Sequence, residues 1–473
     1  MYNYIFARSF KKREQKQLKF KWMALLCFSL IALSLCAMFK PYLGPLPAAL
    51  NLHLSVDVGA QQHIFEHIIS NSRPQHVANN TISSPLLESQ SVKVTKKIEP
   101  AAVCSVKKGS DFCEINNDIR IDGSSATVFI ASSLADQTEW IIRPYARKYD
   151  HVAMKRVNEW SVKSAANLLQ CNQNHSVPAI LFSNGGYAGN IFHDFSDIII
   201  PLYINSRQFN GQVQFVITNK QSWWINKYQN ILKKLSRYDI IDIDNQDDIH
   251  CFPRGILGLK RHDKELNINS SESPYSIKDF RQFIRSSYSL QKPAAIRLRD
   301  GEKKKPRLLI VSRKRTRAFT NAEEIAQMGT RLGFSVVVAE ANGNFSRFAE
   351  TVNSCDVFLA VHGAAMTNMI FLPENAVFIQ VVPFGGFAWL ARTDYEEPAK
   401  AMKLRYLEYK IKLDESTLIQ QYPLDHQVIR DPSSIGKQGW NAFRSVYMVQ
   451  QNVKVDLNRF RSTLLKALEL LHQ

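Results

Sequence analysis

The chain has 473 residues, 45% of them hydrophobic and 22% charged, with a formal net charge of +18. That length and apolar content exclude a disordered chain or a single small module and leave room for two or more packed domains. The excess of Lys and Arg favours phosphate-bearing or polyanionic ligands; no motif of the usual DNA- or RNA-binding kinds accompanies it, so nucleic acid is not an expected partner.

Residues 1–21 carry +6 of the charge, from Arg8, Lys11, Lys12, Arg13, Lys16, Lys19 and Lys21 against Glu14. Trp22–Phe39, WMALLCFSLIALSLCAMF, is then an 18-residue run without a charge. It is about the shortest stretch that spans a bilayer as a helix. Its basic flank keeps the N-terminus cytosolic and sends the rest of the chain to the lumen. A cleaved signal peptide is the alternative, but the run is longer than a usual signal core and no small-x-small site precedes Lys40. A buried core helix fits a terminal run that is apolar all round less well.

Residues 40–102 are rich in Ser, Asn, Gln and Pro, with little periodicity, and read as a flexible stem. Cys27 and Cys36 fall in the apolar run, leaving Cys104, Cys113, Cys171, Cys251 and Cys355 beyond it. In an oxidising lumen Cys104–Cys113 and Cys171–Cys251 are the expected pairs, with Cys355 a buried thiol, although spacing alone leaves connectivity open. No cysteine spacing matches a zinc site. N-x-S/T triplets at Asn79, Asn174, Asn269 and Asn344 agree with a lumenal location.

From residue 103 to 296, the short apolar runs ATVFIAS, AILFS, VQFVIT and DIIDID alternate with helical patterns such as QSWWINKYQNILKKLS, which argues for parallel sheets faced by helices. After the charged stretch RLRDGEKKKPR a second alternation fills 297–473. Its strands are LLIVS, SVVVAE, VFLAV and AVFIQVV, and LNRFRSTLLKALELLH closes it as an amphipathic helix. Two facing α/β units with a cleft between them is the economical architecture, and ligands of such sheets bind at the carboxyl ends of strands.

Three constellations sit at such ends. In SNGGYAGNIFHDFSDIIIPLYI, Gly185 and Gly186 allow close ligand approach, and a helix starting near Asn190 puts His193 and Asp197 on one face. The carboxylate can then fix the imidazole as a general base, whereas Asp194 points a quarter-turn away. Pro201 is expected to kink or end that helix. In VFLAVHGAAMTNMIFLP a buried strand turns at His362, Gly363 and Ala364 into a helix start suited to a diphosphate. In LLIVSRKRTRAFTN a strand delivers Arg313 and Arg317, whose guanidinium groups pair with phosphate oxygens, while Lys314 reads as solvated. Asp242–Asn245, DIDN, holds the one D-x-D triplet and reads as a strand end rather than a metal site.

Taken in order, GGYAGNIFHDFSDIIIPLY, HCFPRGILGL, SRKRTRAFTN and CDVFLAVHGAAMTNMIFLPENAVFIQVVPFG make the chain resemble the plant branch of glycosyltransferase family 61. The stretches around the apolar run look like its xylan arabinosyltransferase subgroup. The resemblance implies an α/β enzyme of GT-B type, two facing Rossmann-like domains preceded by a single N-terminal transmembrane helix and a flexible stem. It further implies a single-pass type II protein of the Golgi membrane that inverts the anomeric centre without an obligatory metal or other cofactor. Its donor would be a UDP-pentose, UDP-arabinofuranose or UDP-xylose, its acceptor xylan, and other xylan-synthesising enzymes its candidate partners.

By position, His193 and Asp197 match the family's H-x-x-x-D element, Arg313 its S-R element, and His362, Gly363, Thr367 and Asn368 its H-G-A-x-x-T-N element. Ala365 stands where the pattern has Gly, which would narrow the turn beside the diphosphate. Asp194 stands where it usually has Glu, a poor position for an indispensable acid. The expected donor set is therefore Gly185, Gly186, Asn190, Arg313, Arg317, His362, Gly363, Ala364, Thr367 and Asn368, with catalysis by His193 and Asp197. A non-catalytic Golgi scaffold and an anchored polyanion-binding protein are the rival readings.

Overall fold

The protein is described by a computed structural model over residues 102–107, 109–131, 139–341 and 343–473. The apolar run 22–39, nearly all of the stem and the triplet at Asn79 lie outside the described residues. Among the described residues no helix is long and apolar enough to cross a membrane.

Three sheets organise the chain. The first runs, in spatial order, Ala102–Lys107, Ser110–Ile115, Gly255–Leu257, Ala179–Ser183, Gln214–Thr218 and Ile241–Asp242; its last four strands are parallel and its first two form an antiparallel hairpin. The second is also mixed, in the order Glu139–Ile142, Trp160–Ala165, Thr127–Ala131, Ile119–Asp122, Ile249–Phe252 and Gln173–Asn174. The expectation of parallel sheets therefore holds only in part here. Connections as short as those from Lys107 to Ser110 and from Asp122 to Thr127 cannot carry a crossover, so these neighbours must run antiparallel.

The third sheet is wholly parallel, in the order Ser335–Ala339, Arg307–Val311, Val357–Val361, Val377–Val382 and Arg405–Lys410. Its strands alternate faces with period two. Leu308 and Ile310 pack with helices Ala322–Arg331 and Leu457–His472, whereas Leu309 and Val311 join a larger core on the other face. That larger core also takes in Phe182, Phe195, Phe215 and Phe280 from the first half of the chain. A separate apolar layer of Ile115, Val128, Trp160, Leu181 and Val216 lies between the first two sheets.

Helix Ile277–Ser287 links the halves and starts with a capping box from Ser276 and Asp279. Its Arg281 is buried and donates to the carbonyls of Ile370, Leu372 and Met402, the open ends of two helical segments of the C-terminal half. Burial, then Arg285, pushes that guanidinium down to about 10.

Both expected disulfides are present. Cys104 and Cys113 face each other across the first hairpin, and Cys171 is joined to Cys251. Cys355 is a buried free thiol whose ionisation burial pushes up.

Beside the second bridge, His175 Nε2 lies 3.0 Å from His250 Nδ1, and Phe252 stacks on His175 at 4.3 Å. Burial lowers both imidazoles below the free value. The unfolded chain therefore takes up the protons first, and stability present at neutral pH is lost as the pH falls through about 6.5. Chemical denaturation at about pH 7 and pH 5 checks this: the folded state is weaker at the lower pH, and His250→Asn makes the difference smaller.

Candidate active site

The strand Ala179–Ser183 ends in the turn at Asn184–Gly189, and Asn190 caps the following helix by accepting from the Phe192 amide at 3.1 Å. The helix does not stop at Pro201. A wide π turn over Asp194–Ile199 precedes it, and helix continues through Pro201 to Ser206. Widening the turn relieves both the clash and the missing donor that proline brings to a regular helix.

His193 and Asp197 meet as their spacing predicts, with Nδ1 2.9 Å from Asp197 Oδ2. The same carboxylate oxygen accepts from Arg147 Nε at 2.7 Å and the Tyr145 hydroxyl at 2.9 Å, while Arg261 stands 3.6 Å from the other oxygen. Burial opposes ionisation of Asp197, but Arg147, His193 and Arg261 overcome it and hold the carboxyl well below its ordinary range. Arg147 and Arg261 also pair with Glu265, at 3.1 and 2.5 Å, which closes the network, and Ser196 donates to Glu265 at 2.6 Å.

Two arginines thus match two carboxylates, so Asp197 contributes orientation to His193 more than uncompensated negative charge. Accepting the Nδ1 proton leaves Nε2 as the basic nitrogen. The His193 side chain keeps 18% of its exposure, so that nitrogen is not sealed in the core. Arg147→Ala should cost about 3–5 kcal/mol of stability, because it leaves Asp197 and Glu265 to share the single charge of Arg261; a thermal melt checks this, and an unchanged midpoint would refute the account.

Asp194 has a different occupation. It is fully buried and accepts from the Gly189 amide, Trp224 Nε1, Lys227 Nζ and the Tyr228 hydroxyl, at 2.9, 2.9, 3.2 and 2.7 Å. All of its capacity goes to locking the glycine turn onto helix Ser222–Leu235.

The parallel sheet of the C-terminal half has strand order 2-1-3-4-5, which reverses between Arg307–Val311 and Val357–Val361. A crevice opens at such a switch point, at the carboxyl ends. Arg313 and Arg317 follow the first of these strands and His362 and Gly363 follow the second. Gly363 has φ +148°, and a Cβ there would sit 2.3 Å from an Arg313 nitrogen and 2.8 Å from one of Arg317. Only glycine lets both guanidinium groups lie over the turn.

Arg317 Nη1 donates to the His362 carbonyl at 2.9 Å, and Arg313 Nη2 to Thr316 at 3.2 Å. Arg313 Nη1 and Arg317 Nε are buried without a partner, and among the described residues no carboxylate pairs with either arginine. Burial, then Arg313, pushes Arg317 down to about 9, and burial lowers Arg313 too. Two adjacent cations, Arg317 buried and Arg313 partly so, with open donors form a site that an anion would complete. Lys314 and Glu340 pair at 3.0 Å with the lysine largely in solvent, as the sequence reading has it.

Gln380 orients His362. The Tyr406 hydroxyl donates to Gln380 Oε1 at 2.9 Å, so the amide nitrogen faces His362 Nδ1 at 2.8 Å. Burial and the two arginines hold His362 neutral, its protonation pushed well below the usual value. The segment after it, Ala364–Phe371, is a run of 3₁₀ turns rather than the expected α-helix. Asn368 bonds the Ala365 carbonyl three residues back at 2.8 Å, a contact suited to that tighter winding, and Thr367 faces the Tyr395 phenol.

Tyr395 brings the constellations together. Its hydroxyl donates to the Gly363 carbonyl at 2.9 Å, its ring lies 5.3 Å from His362, and Phe192, next to His193, packs against it at 6.0 Å. The neighbouring Asp394 is pushed up to about 8, by burial first and then Glu265. Sequence reasoning missed Arg147, Arg261, Glu265 and Tyr395; RHDKEL and the RTDYEE stretch held the only signals. Gly185 and Gly186, expected to hold the donor, lie instead against Asn219 and Tyr145 at the end of the first sheet's strands rather than at the arginines' turn, and Asn190 serves the helix cap. Among the described residues no group of three or more His, Cys, Asp or Glu side chains could hold a metal.

The family model described as Glycosyltransferase 61 matches residues 262–379. The chain is 45% identical over 369 residues to the alpha-1,3-arabinosyltransferase XAT3 of Oryza sativa subsp. japonica, an alignment covering 77% of this chain and 64% of that protein. It is 42% identical over 396 residues to the beta-1,2-xylosyltransferase XYXT1 of the same species, covering 79% and 85%. With the xylan glycosyltransferase MUCI21 of Arabidopsis thaliana it shares 34% identity over 478 residues, covering 96% and 92%. The chain thus spans somewhat less than two thirds of the length of the arabinosyltransferase it matches.

Proposed function

The chain belongs to glycosyltransferase family 61, and from that premise we propose that it transfers a pentosyl group from a UDP-pentose to a hydroxyl of the xylan backbone, with inversion. The observation that carries this reading is the pair of arginines at the switch point, each with a buried donor left open and neither paired with a carboxylate among the described residues, linked to His193 through the rings of Tyr395 and Phe192.

In the proposed step the acceptor oxygen attacks C1 of the pentose as the bond from C1 to the UDP oxygen breaks. His193 Nε2 takes the hydroxyl proton, and Asp197 holds the ring in the tautomer that can. Arg313 and Arg317 receive the charge that develops on the departing diphosphate, with the backbone at His362–Ala364 beside them. One displacement needs one base, so no second carboxylate is required at the reacting carbon. The intact His193–Asp197 pair favours this reading over a non-catalytic scaffold.

Arabinofuranose in α-1,3 linkage is the favoured sugar, on the identity to the arabinosyltransferase; β-1,2 transfer of xylose is the second reading, on the fuller coverage of the xylosyltransferase. We assign the chain a GT-B arrangement, with residues 103–296 on the acceptor side and 297–473 on the nucleotide-sugar side. A Golgi membrane anchor at 22–39 with the enzyme lumenal completes the proposal. The exposed sequons Asn174, Asn269 and Asn344 support that orientation.

The full-length chain incubated with xylo-oligosaccharides and a panel of UDP-pentoses tests the reading. A product carrying one added pentose is expected, and its linkage chooses between the two sugars. Failure to transfer from every UDP-pentose, with no affinity for UDP, would sink it.

A further inference from the structure

The parallel strands of the first sheet also end in an opening. An open cavity of about 400 Å³ lies at the carboxyl ends of Ala179–Ser183, Gln214–Thr218 and Ile241–Asp242, remote in sequence from the arginine turn. Gly185 and Gly186, expected in the donor set, line it, but the groups that act in the transfer step, His193, Asp197, Arg313 and Arg317, do not.

Its most telling member is Trp223. In the pair Trp223–Trp224 the second indole is fully buried and bonds Asp194, whereas the first is 50% exposed on the cavity wall. Trp223 lies against bare backbone: a Cβ at Gly189, where φ is +98°, would come within 3.1 Å of its ring. An indole held in solvent by a rigid turn loses apolar burial unless something flat and apolar covers it.

The rest of the wall is polar and balanced. Asn184, Asn219, Gln221 and Asn245 supply amides, which can both donate and accept. Their framework is already fixed, for Asn184 accepts from the Gln221 amide at 3.0 Å and Asn219 from Ser183 at 2.9 Å. Two cations, Arg156 and Lys220, face two carboxylates, Asp242 and Asp244. Asp244 gives its oxygens to Thr218, the Asn219 amide and Asn158. Asp242 accepts from Asn245 and Lys220 through one oxygen, and its other oxygen is buried without a partner. A wall without net charge does not select an anion, in contrast to the arginine turn.

The cavity is also linked to the reacting base. Arg156 lies over the Tyr187 ring at 5.8 Å, and His193 packs against the same ring at 4.5 Å.

The geometry points to a binding subsite for an uncharged, pyranose-containing oligosaccharide, with a sugar face on Trp223, hydroxyls on the amides and Asp242, and the chain leading past Tyr187 to His193. The inference rests on the transferase reading and adds to it the place where an acceptor remote from the reacting unit is held. Sugar rings present both an apolar face and a rim of hydroxyls, the combination this wall offers.

Calorimetric titration of the full-length chain with β-1,4-linked xylohexaose, and separately with UDP, tests it. Trp223→Ala should weaken xylohexaose binding at least tenfold, and Trp223→Phe should recover part of the loss, which a general packing defect would not show. UDP titration of the same variants reports whether the fold and the arginine turn are intact. Equal xylohexaose affinity in wild type and Trp223→Ala overturns the subsite and leaves the transferase reading standing. Loss of UDP rather than oligosaccharide binding also overturns it, since the cavity would then serve the donor. If wild type binds cellohexaose and not xylohexaose, and Trp223→Ala loses that binding, the subsite stands and the xylan reading falls.

Discussion

Replacing His193 with alanine lowers pentosyl transfer by about 10²–10⁴-fold, the span a positioned acid or base contributes, and leaves UDP affinity unchanged. The split between the two readouts is the informative part. His193 is separated from Arg313 and Arg317 by Phe192 and Tyr395, so its removal should not touch diphosphate recognition. Asp197 is the poorer probe of the same idea. It is the shared acceptor for Tyr145, Arg147 and His193, and Asp197→Asn would loosen the ionic network as well as the imidazole. Steady-state transfer with purified His193→Ala, beside a UDP titration, decides the matter: near wild-type turnover means another group takes the proton.

Arg317→Met carries the second large effect, and its two consequences have opposite sign. UDP affinity falls about 10–100-fold, as expected for a lost charge-assisted hydrogen bond, and transfer falls with it. The unliganded protein, by contrast, becomes harder to unfold, because a buried cation without a carboxylate partner is removed. The one bond given up, to the His362 carbonyl, is smaller than that relief. Thermal melts with and without UDP read both. At the same UDP concentration wild type should gain more stability than the variant. A variant that melts earlier and responds to UDP as strongly as wild type would contradict the assignment of Arg317 to the anion.

Local spacing made His193 and Asp197 legible, because four residues separate neighbours on a helix face. Strand-to-turn composition did the same for His362, Gly363 and the two arginines. The helix Leu457–His472 and the strand Ala179–Ser183 coincide with their apolar patterns for the same reason. Arg147 and Glu265 were not legible. Arg147 reaches Asp197 across 50 residues and Glu265 across 118, and a charged side chain in a loop looks the same whether solvated or buried in a pair. Trp223 was hidden differently: periodicity assigns two adjacent tryptophans to one helix without telling which faces outward. The mixed strand directions of the first two sheets depend on connection lengths, which apolar runs delimit only loosely.

Arg281 has a consequence for exchanging parts between relatives. Helix Ile277–Ser287 precedes the C-terminal sheet in sequence, but its guanidinium closes the carbonyl ends of that half, and its Phe280 sits in the core that both halves share. A chimera joined just before Arg307 would pair this helix with carbonyls from another parent. A join ahead of Ser276 keeps donor and acceptors together, so recombinants that swap sugar specificity should survive expression best when the crossover lies there.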